Sequence, residues 1–270
     1  MRIIGDGFLG RNLATAFGDR FPEVTALASG VSSTSTTTSA EYDREAQLLY
    51  GVLEECLRER RRLLFFSTAS FAMYGFPEGA AAESDPVRPP NVYGRHKLAL
   101  ESVVRASGVD HLILRLSHVV GLHQRPHQLL PTLVRHVLAG EVTVHQGAHR
   151  DLLDVRDLLH AVGELLAHGV SREVLNVASG HPQPVESVVT AIERRLGVTA
   201  HRRTRPGAPA VTRASVRRLR GLVPDFCSTG AGATGLDPAD PQQAYLERLL
   251  DAYLPYCTAL SGDLAALPGR

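Results

Sequence analysis

Tyr93 and Lys97 stand four residues apart in the run Tyr93-Gly94-Arg95-His96-Lys97, and they follow a hydroxyl-rich segment, Ser67-Thr68-Ala69-Ser70. On a helix this spacing puts a phenol and an ammonium on one face, one turn apart. A phenol that gives or takes a proton near neutrality needs its pKa brought down from about 10. A fixed cation beside it does so by favouring the phenolate. A shift of about three units takes roughly 4 kcal/mol, at about 1.36 kcal/mol per unit. Tyr-x-x-x-Lys alone is a common surface pair, so its weight depends on the elements that position it.

Those elements read as an alternating α/β chain. Arg2-Ile3-Ile4 is a short strand, followed by the loop Gly5-Asp6-Gly7-Phe8-Leu9-Gly10 and a helix over Arg11 to Phe17. Strand, glycine loop and helix in that order suit a dinucleotide diphosphate, because glycines allow close backbone approach and a helix N-terminus offers free N–H groups. Val24 to Ala28 is a second strand, ending in Ala28-Ser29-Gly30. The Ser/Thr-rich tract Val31 to Ala40 reads as a loop. Thr38 and Glu41 have capping-box spacing before a helix over Glu41 to Arg60, whose apolar face holds Leu49, Val52, Leu53 and Cys56. Leu63 to Phe66 is an apolar strand of the buried parallel kind. A Pro-rich connection over Pro77 to Pro90 leads to the helix Tyr93 to Ala106. The strand His111 to Leu116, the helix Leu129 to Leu138 and the strand Val142 to His145 follow. Asp157 is placed to cap a helix over Leu158 to Ala167; Val174 to Ala178 is a strand and Val185 to Leu196 a helix. His201 to Ala210 reads as irregular, Pro224 to Pro241 as loop and Gln242 to Leu254 as a terminal helix. Strand–helix alternation argues a parallel, doubly wound sheet.

Composition narrows the function classes. The chain has 270 residues, with 29 Lys plus Arg against 28 Asp plus Glu, a formal net charge of +1. Bulk charge therefore suggests neither a nucleic-acid nor an acidic-membrane partner. The arginines between Arg202 and Arg220 suit either a phosphate-facing patch or a solvated face. Three cysteines, Cys56, Cys227 and Cys257, form no disulfide framework and no Cys-x-x-Cys metal site. The His123/His127 and His145/His149 pairs lack an accompanying carboxylate pattern, and Pro126 and Gly147 interrupt them, so no metal is expected. No apolar run approaches about eighteen residues, and no leader segment is evident before Ile3; the expected location is cytoplasmic.

Six blocks, in order, resemble the extended short-chain dehydrogenase/reductase family, the nucleotide-sugar epimerases, dehydratases and ketoreductases. They are Gly5 to Gly10; Phe65 to Gly75 (FFSTASFAMYG); Glu83 through Lys97; Leu114 to Gly121; Arg150 to Asp157; and Leu175 to Ala178. The resemblance implies a Rossmann-like α/β fold. It implies a dinucleotide-binding part over residues 1–120 plus 151–180, and a smaller substrate domain over 121–150 plus 181–270. It also implies NAD or NADP as cofactor, held by Gly5, Gly7, Phe8, Leu9, Gly10, Ala28 and Ser29, and a nucleotide-sugar substrate. Tyr93 would be the general acid/base, Lys97 its pKa-lowering partner, and a hydroxyl the hydrogen-bond partner of the reacting oxygen. Counting back from Tyr74-Gly75 gives Ser70 for that hydroxyl, and counting forward from the strand gives Thr68. His118, standing where the family usually has Asn, and Arg150, resembling a diphosphate-contacting Arg, would face the substrate; a surface ion pair of Arg150 with Asp151 or Asp154 is the alternative. A homodimer through the helices Glu41 to Arg60 and Tyr93 to Ala106 is implied in the same way; ordinary packing of their apolar faces on the sheet is the alternative.

Two departures sharpen the expectation. Phe71 stands where 4,6-dehydratases carry an Asp-Glu pair, which argues against dehydration. Val24 to Gly30 has no carboxylate where a dinucleotide fold grips its adenosine ribose. It resembles the family's fourth strand instead, so the usual second and third strands are expected to be missing; an ordinary second strand without its Asp is the alternative. The expected result is a shortened half that grips the diphosphate, with little adenosine pocket and weak NAD(P) binding unless a second subunit completes it. A degenerate, non-catalytic binding or scaffold protein is the alternative function.

Overall fold

A computed structural model describes residues 1–31, 38–207, 211–227 and 240–265. Most of the Ser/Thr tract and of the stretch Pro224 to Pro241 lies outside the described residues. The elements, in order, are β1 (Arg2–Ile4), α1 (Phe8–Phe17), β2 (Val24–Leu27), α2 (Ser39–Glu59), β3 (Arg62–Thr68), α3 (Phe71–Tyr74), β4 (Ala80–Ala81), α4 (Val92–Ala106), β5 (His111–Leu116) and β6 (His118–Val120). They continue with α5 (Leu129–Leu138), β7 (Glu141–His145), β8 (His149–Arg150), β9 (Leu152–Asp154), α6 (Val155–Ala167), β10 (Glu173–Val177), β11 (Gln183–Pro184), α7 (Val185–Leu196), β12 (His201–Arg205), β13 (Arg213–Ala214), α8 (Arg217–Leu222) and α9 (Pro241–Ala265).

The central sheet has five parallel strands in the order β1-β2-β3-β5-β10. Its middle strands are buried on both faces, which explains their unbroken apolar runs. Alternate residues feed two cores. Ala26, Leu64, Phe66 and Leu114 pack with Leu13 and Phe17 of α1 and with Leu158, Val162 and Leu165 of α6. Leu27, Leu63, Phe65 and Ile113 pack with Leu49, Val52 and Leu53 of α2 and with Leu100 and Val104 of α4. A third core gathers α5, α7 and α9 beside the sheet. Among the described residues no helix is long and apolar enough to cross a membrane.

The strand order bears out the shortened reading of the first half. The order never reverses, and β1 is an edge strand whose only partner among the described residues is β2. The steps β1→β2 and β2→β3 run the same way across the sheet, yet α1 covers one face and α2 the other. The two crossovers therefore have opposite hands. Parallel crossovers are right-handed in nearly all sheets, and an odd-handed one is what remains when intervening strands are removed between α1 and β2.

Several local expectations change. The helix after Arg150 begins at Val155, because Asp154 caps it by accepting from the Arg156 N–H at 2.8 Å. Asp157 instead lies in its first turn and accepts from Tyr245 of α9 at 2.7 Å. His201–Arg205 is a strand paired to β7, not irregular. Its arginines are exposed, and Arg202 and Arg203 pair with Glu193 and Glu141. Side-chain alternation was masked there because the strand presents polar residues throughout. α3, a single turn, lies unforeseen between the hydroxyl segment and Tyr74.

Candidate active site

The C-terminal ends of β1, β2, β3 and β5 open into one cleft of about 550 Å³. On one wall the α1 N-terminus meets the glycine loop. Gly5 takes a φ of +117°, a conformation L side chains rarely adopt. Gly7 is the N-cap of α1, with no side-chain cap, so the first N–H groups of the helix are left for a ligand. The guanidinium of Arg125, a residue the motif analysis passed over, lies over Gly7. Ala28 and Ser29, at the end of β2, complete this wall.

The opposite wall is α4. Asn91 caps it by accepting from the Gly94 N–H at 2.8 Å, which sets Tyr93 in the first turn. A buried fork ties the helix to the sheet: Arg115 of β5 donates to Glu101 of α4 at 2.7 and 3.0 Å, and to the Tyr74 hydroxyl at 2.8 Å. Tyr74 in turn donates to Asn176 of β10 at 2.7 Å. The Lys97 Nζ lies 5.8 Å from the centroid of the Tyr93 ring. Thr68 and Ser70, at the end of β3, join hydroxyl to hydroxyl at 2.8 Å, and both line the cleft. Of the two, Thr68 is the hydroxyl that bears on the Tyr93 phenol and draws its pKa down, while Ser70 also accepts from the Ala72 N–H.

The charge balance at Tyr93 differs from the expectation of a bare Lys97 lowering its pKa. Burial is the largest influence and pushes the phenol above its ordinary value; Lys97 pulls it down, but the carboxylate of Glu45 pushes it up again. Glu45 comes from α2 and accepts from Lys97 Nζ at 2.6 Å. Its signal was present in the sequence: Tyr42, Glu45, Leu49, Val52, Leu53 and Cys56 recur at helical spacing and are all buried. A carboxylate in that row is a buried charge, which must be paired.

His118 and Arg150 both reach the cleft. Arg150 does not pair with Asp151 or Asp154. Asp151 is engaged by Ser117, Ser179 and the Gly180 N–H, and Asp154 by Arg156 and Tyr253. The Arg150 guanidinium donates to the His149 carbonyl at 2.7 Å and has no carboxylate partner among the described residues. Burial lowers its pKa. Burial first, and Arg150 second, depress the His118 pKa to about 4. The sign follows: between about pH 6.5 and about 4 an unfolded His118 is protonated and the folded one is not. Stability is therefore lost as pH falls through that window, by up to about 3 kcal/mol. His118→Gln should flatten the fall of Tm between pH 6.5 and 4 relative to the unaltered chain; an unchanged slope would remove this assignment.

With this geometry in view, comparison with known proteins is decisive for the family. The family model for the NAD dependent epimerase/dehydratase family matches residues 10–178. The chain belongs to that family. Among curated relatives, it is 33% identical over 128 residues to the dTDP-6-deoxy-L-talose 4-dehydrogenase (NAD(P)(+)) of Kitasatospora kifunensis, covering 43% of this chain and 40% of that protein. It is 32% identical over 189 residues to the UDP-glucose 4-epimerase of Streptomyces lividans, covering 58% and 56%. The chain thus spans about half the length of the curated relatives it matches. Among solved structures, the dTDP-glucose 4,6-dehydratase of Bacillus anthracis in complex with NAD superposes with a TM-score of 0.69 at 19% identity, over 86% of this chain and 73% of that one. RMD from Pseudomonas aeruginosa complexed with NADPH gives a TM-score of 0.66 at 22% identity, over 82% and 90%. At these identities the structural likeness speaks for the fold alone, a Rossmann-like α/β fold with a central parallel sheet.

Proposed function

We propose that this chain is an NAD(P)-dependent oxidoreductase or epimerase acting at a carbinol or carbonyl carbon of a nucleotide-linked sugar, with Tyr93 as general acid/base. The observation that carries the reading is the meeting of Tyr93, Lys97 and the Thr68–Ser70 hydroxyls in one cleft with the glycine loop. A carbon that gains or loses hydride needs a proton moved at its oxygen, and a phenol within reach of that oxygen can move it. Nicotinamide, when bound, supplies the hydride. The free N–H groups at Gly7 and the Arg125 guanidinium suit the cofactor diphosphate. Lys97, with N–H groups beyond the one given to Glu45, suits the nicotinamide ribose. Arg150, without a carboxylate partner among the described residues, suits the diphosphate of the sugar nucleotide, for which an Arg fork is well shaped.

The adenosine end fits less well. A dinucleotide spans the crevice where strand order reverses, with an acidic residue holding the adenosine ribose. Here the order does not reverse, and the end of β2 is Ala28-Ser29-Gly30. This favours a second reading, a binding or scaffold protein that has lost turnover. Calorimetric titration with NADH, NADPH and reduced nicotinamide mononucleotide separates the two. The expected result is dissociation constants for the mononucleotide and for NADH within about tenfold of each other, about 1.4 kcal/mol. NADH binding a hundredfold or more tighter would mean that an adenosine pocket is present. Absence of binding by all three would remove the enzyme reading.

A further inference from the structure

The charge that faces Lys97 comes from Glu45 of the neighbouring helix α2. Glu45 is three-quarters of a helical turn beyond Tyr42 on α2, and its side chain is 1% exposed. One oxygen accepts from Lys97 Nζ at 2.6 Å; the other is 3.1 Å from His96 Nε2 and accepts from the Val31 N–H at 3.0 Å. The α2 helix holds it against α4 through Tyr42, whose ring lies 4.8 Å from that of His96. Gly30 lies directly against the carboxylate, leaving no room for a side chain there. The bonds from His96, Lys97 and Val31 outweigh burial and keep the carboxyl below its ordinary pKa, so it carries a full negative charge at neutrality.

We propose that Glu45 is the positioning residue that biases the site: paired with Lys97, it adds to burial in keeping Tyr93 in the protonated, proton-donating form, so the site is better built to reduce a carbonyl than to oxidise an alcohol. The proposal rests on Tyr93 being the acid of the preceding reading. In that direction the phenol would give its proton to the carbonyl oxygen as the carbonyl carbon gains a hydride, which a reduced nicotinamide, when bound, would supply, leaving the alcohol and the oxidised nicotinamide. A solvent proton then restores the phenol. A bare ammonium at this distance would favour the phenolate, the form that oxidation needs; a buried ion pair presents much less net charge. The groups that face the phenol are Lys97 and His96 of α4, Glu45 and Tyr42 of α2 and the Thr68 hydroxyl of β3, with His118 and Arg150 across the cleft.

Ultraviolet titration of tyrosinate, taken as the full chain minus its Tyr93→Phe variant, reads this without any substrate. In the unaltered chain Tyr93 should titrate at or above about 10. Glu45→Gln, nearly isosteric, should lower the midpoint by about one unit or more, roughly a tenfold gain in phenolate at a given pH. Glu45→Asp, which keeps the charge, should return most of the shift, whereas a merely structural Glu45 would change Tm in both variants and leave the midpoint alone. An unmoved or raised midpoint in Glu45→Gln overturns the proposal. A midpoint near 7 in the unaltered chain also overturns it; if Glu45→Gln does not fold, Glu45→Ala reads the same shift, a fall of about one unit upholding the proposal and no fall overturning it. If the midpoints behave as stated but no nicotinamide binds, the charge arrangement stands and the enzyme reading, with its direction of reduction, is what fails.

Discussion

Replacing Tyr93 with Phe should lower turnover by about a thousandfold while leaving the fold in place, the scale on which a positioned acid/base contributes. The ring stays, so its packing against α4 and the cleft wall is kept. Loss of the hydroxyl alone should change stability by no more than about 1 kcal/mol. The measurement is NAD(P)H oxidation with a nucleotide-linked keto sugar, alongside circular dichroism and Tm. Near-normal turnover would remove Tyr93 from the chemistry and leave the hydroxyl pair Thr68–Ser70 without a proton partner. Cofactor affinity should change little, because the contacts proposed for the diphosphate, at Gly7 and Arg125, lie on the other wall. A loss of turnover accompanied by a similar loss of affinity would point to a disturbed cleft instead.

Gly94→Ala should be as damaging to the fold as Tyr93→Phe is to the chemistry. Gly94 lies in the first turn of α4, where the helix crosses α3 so closely that a Cβ would be built inside the carbonyl of Ala72 and against Pro89. The obstacle is backbone, which cannot swing aside as a flexible side chain does. Relief requires α4 to shift as a body, against the Asn91 cap and the Glu101–Arg115 fork. The expected loss is about 3 kcal/mol or more, the range of overpacked or strained interior sites, read by chemical denaturation. Any folded fraction should also bind cofactor and turn over poorly, since Tyr93 and Lys97 move with the helix. A loss below about 1 kcal/mol would show that α3 yields, and would make the close approach incidental.

Much of this site was legible in the sequence, and the legible part is local. Tyr93 and Lys97 meet because four residues make one helical turn. Asn91 caps the helix by a bond within three residues. The glycine loop announces itself because Gly5 must adopt a positive φ. The missing acidic residue after β2, together with the short span from Gly10 to Ser70, carried enough information to expect the shortened sheet that β1 at its edge displays. Where the reading failed locally, the reason was competition among near-equivalent signals: Asp154 and Asp157 are both plausible caps, and the backbone chose the earlier one.

By itself, then, the sequence determined the inventory of chemistry and the order of the main elements, because these rest on backbone geometry and short spacings, and the resemblance of six blocks carried the family. The tertiary structure alone decided how the charges are shared. Glu45 and Lys97 are 52 residues apart in the chain and meet only because α2 and α4 pack side by side on one face of the sheet. Among the described residues Arg150 is left without a carboxylate because its neighbours Asp151 and Asp154 turn to Ser117, Ser179 and Arg156. Thr68 and Ser70 share one hydrogen bond because the chain bends into α3 just after the strand. Burial strengthens or weakens a charge by an amount set by every group packed around it, and that packing is a property of the whole fold rather than of any stretch of it.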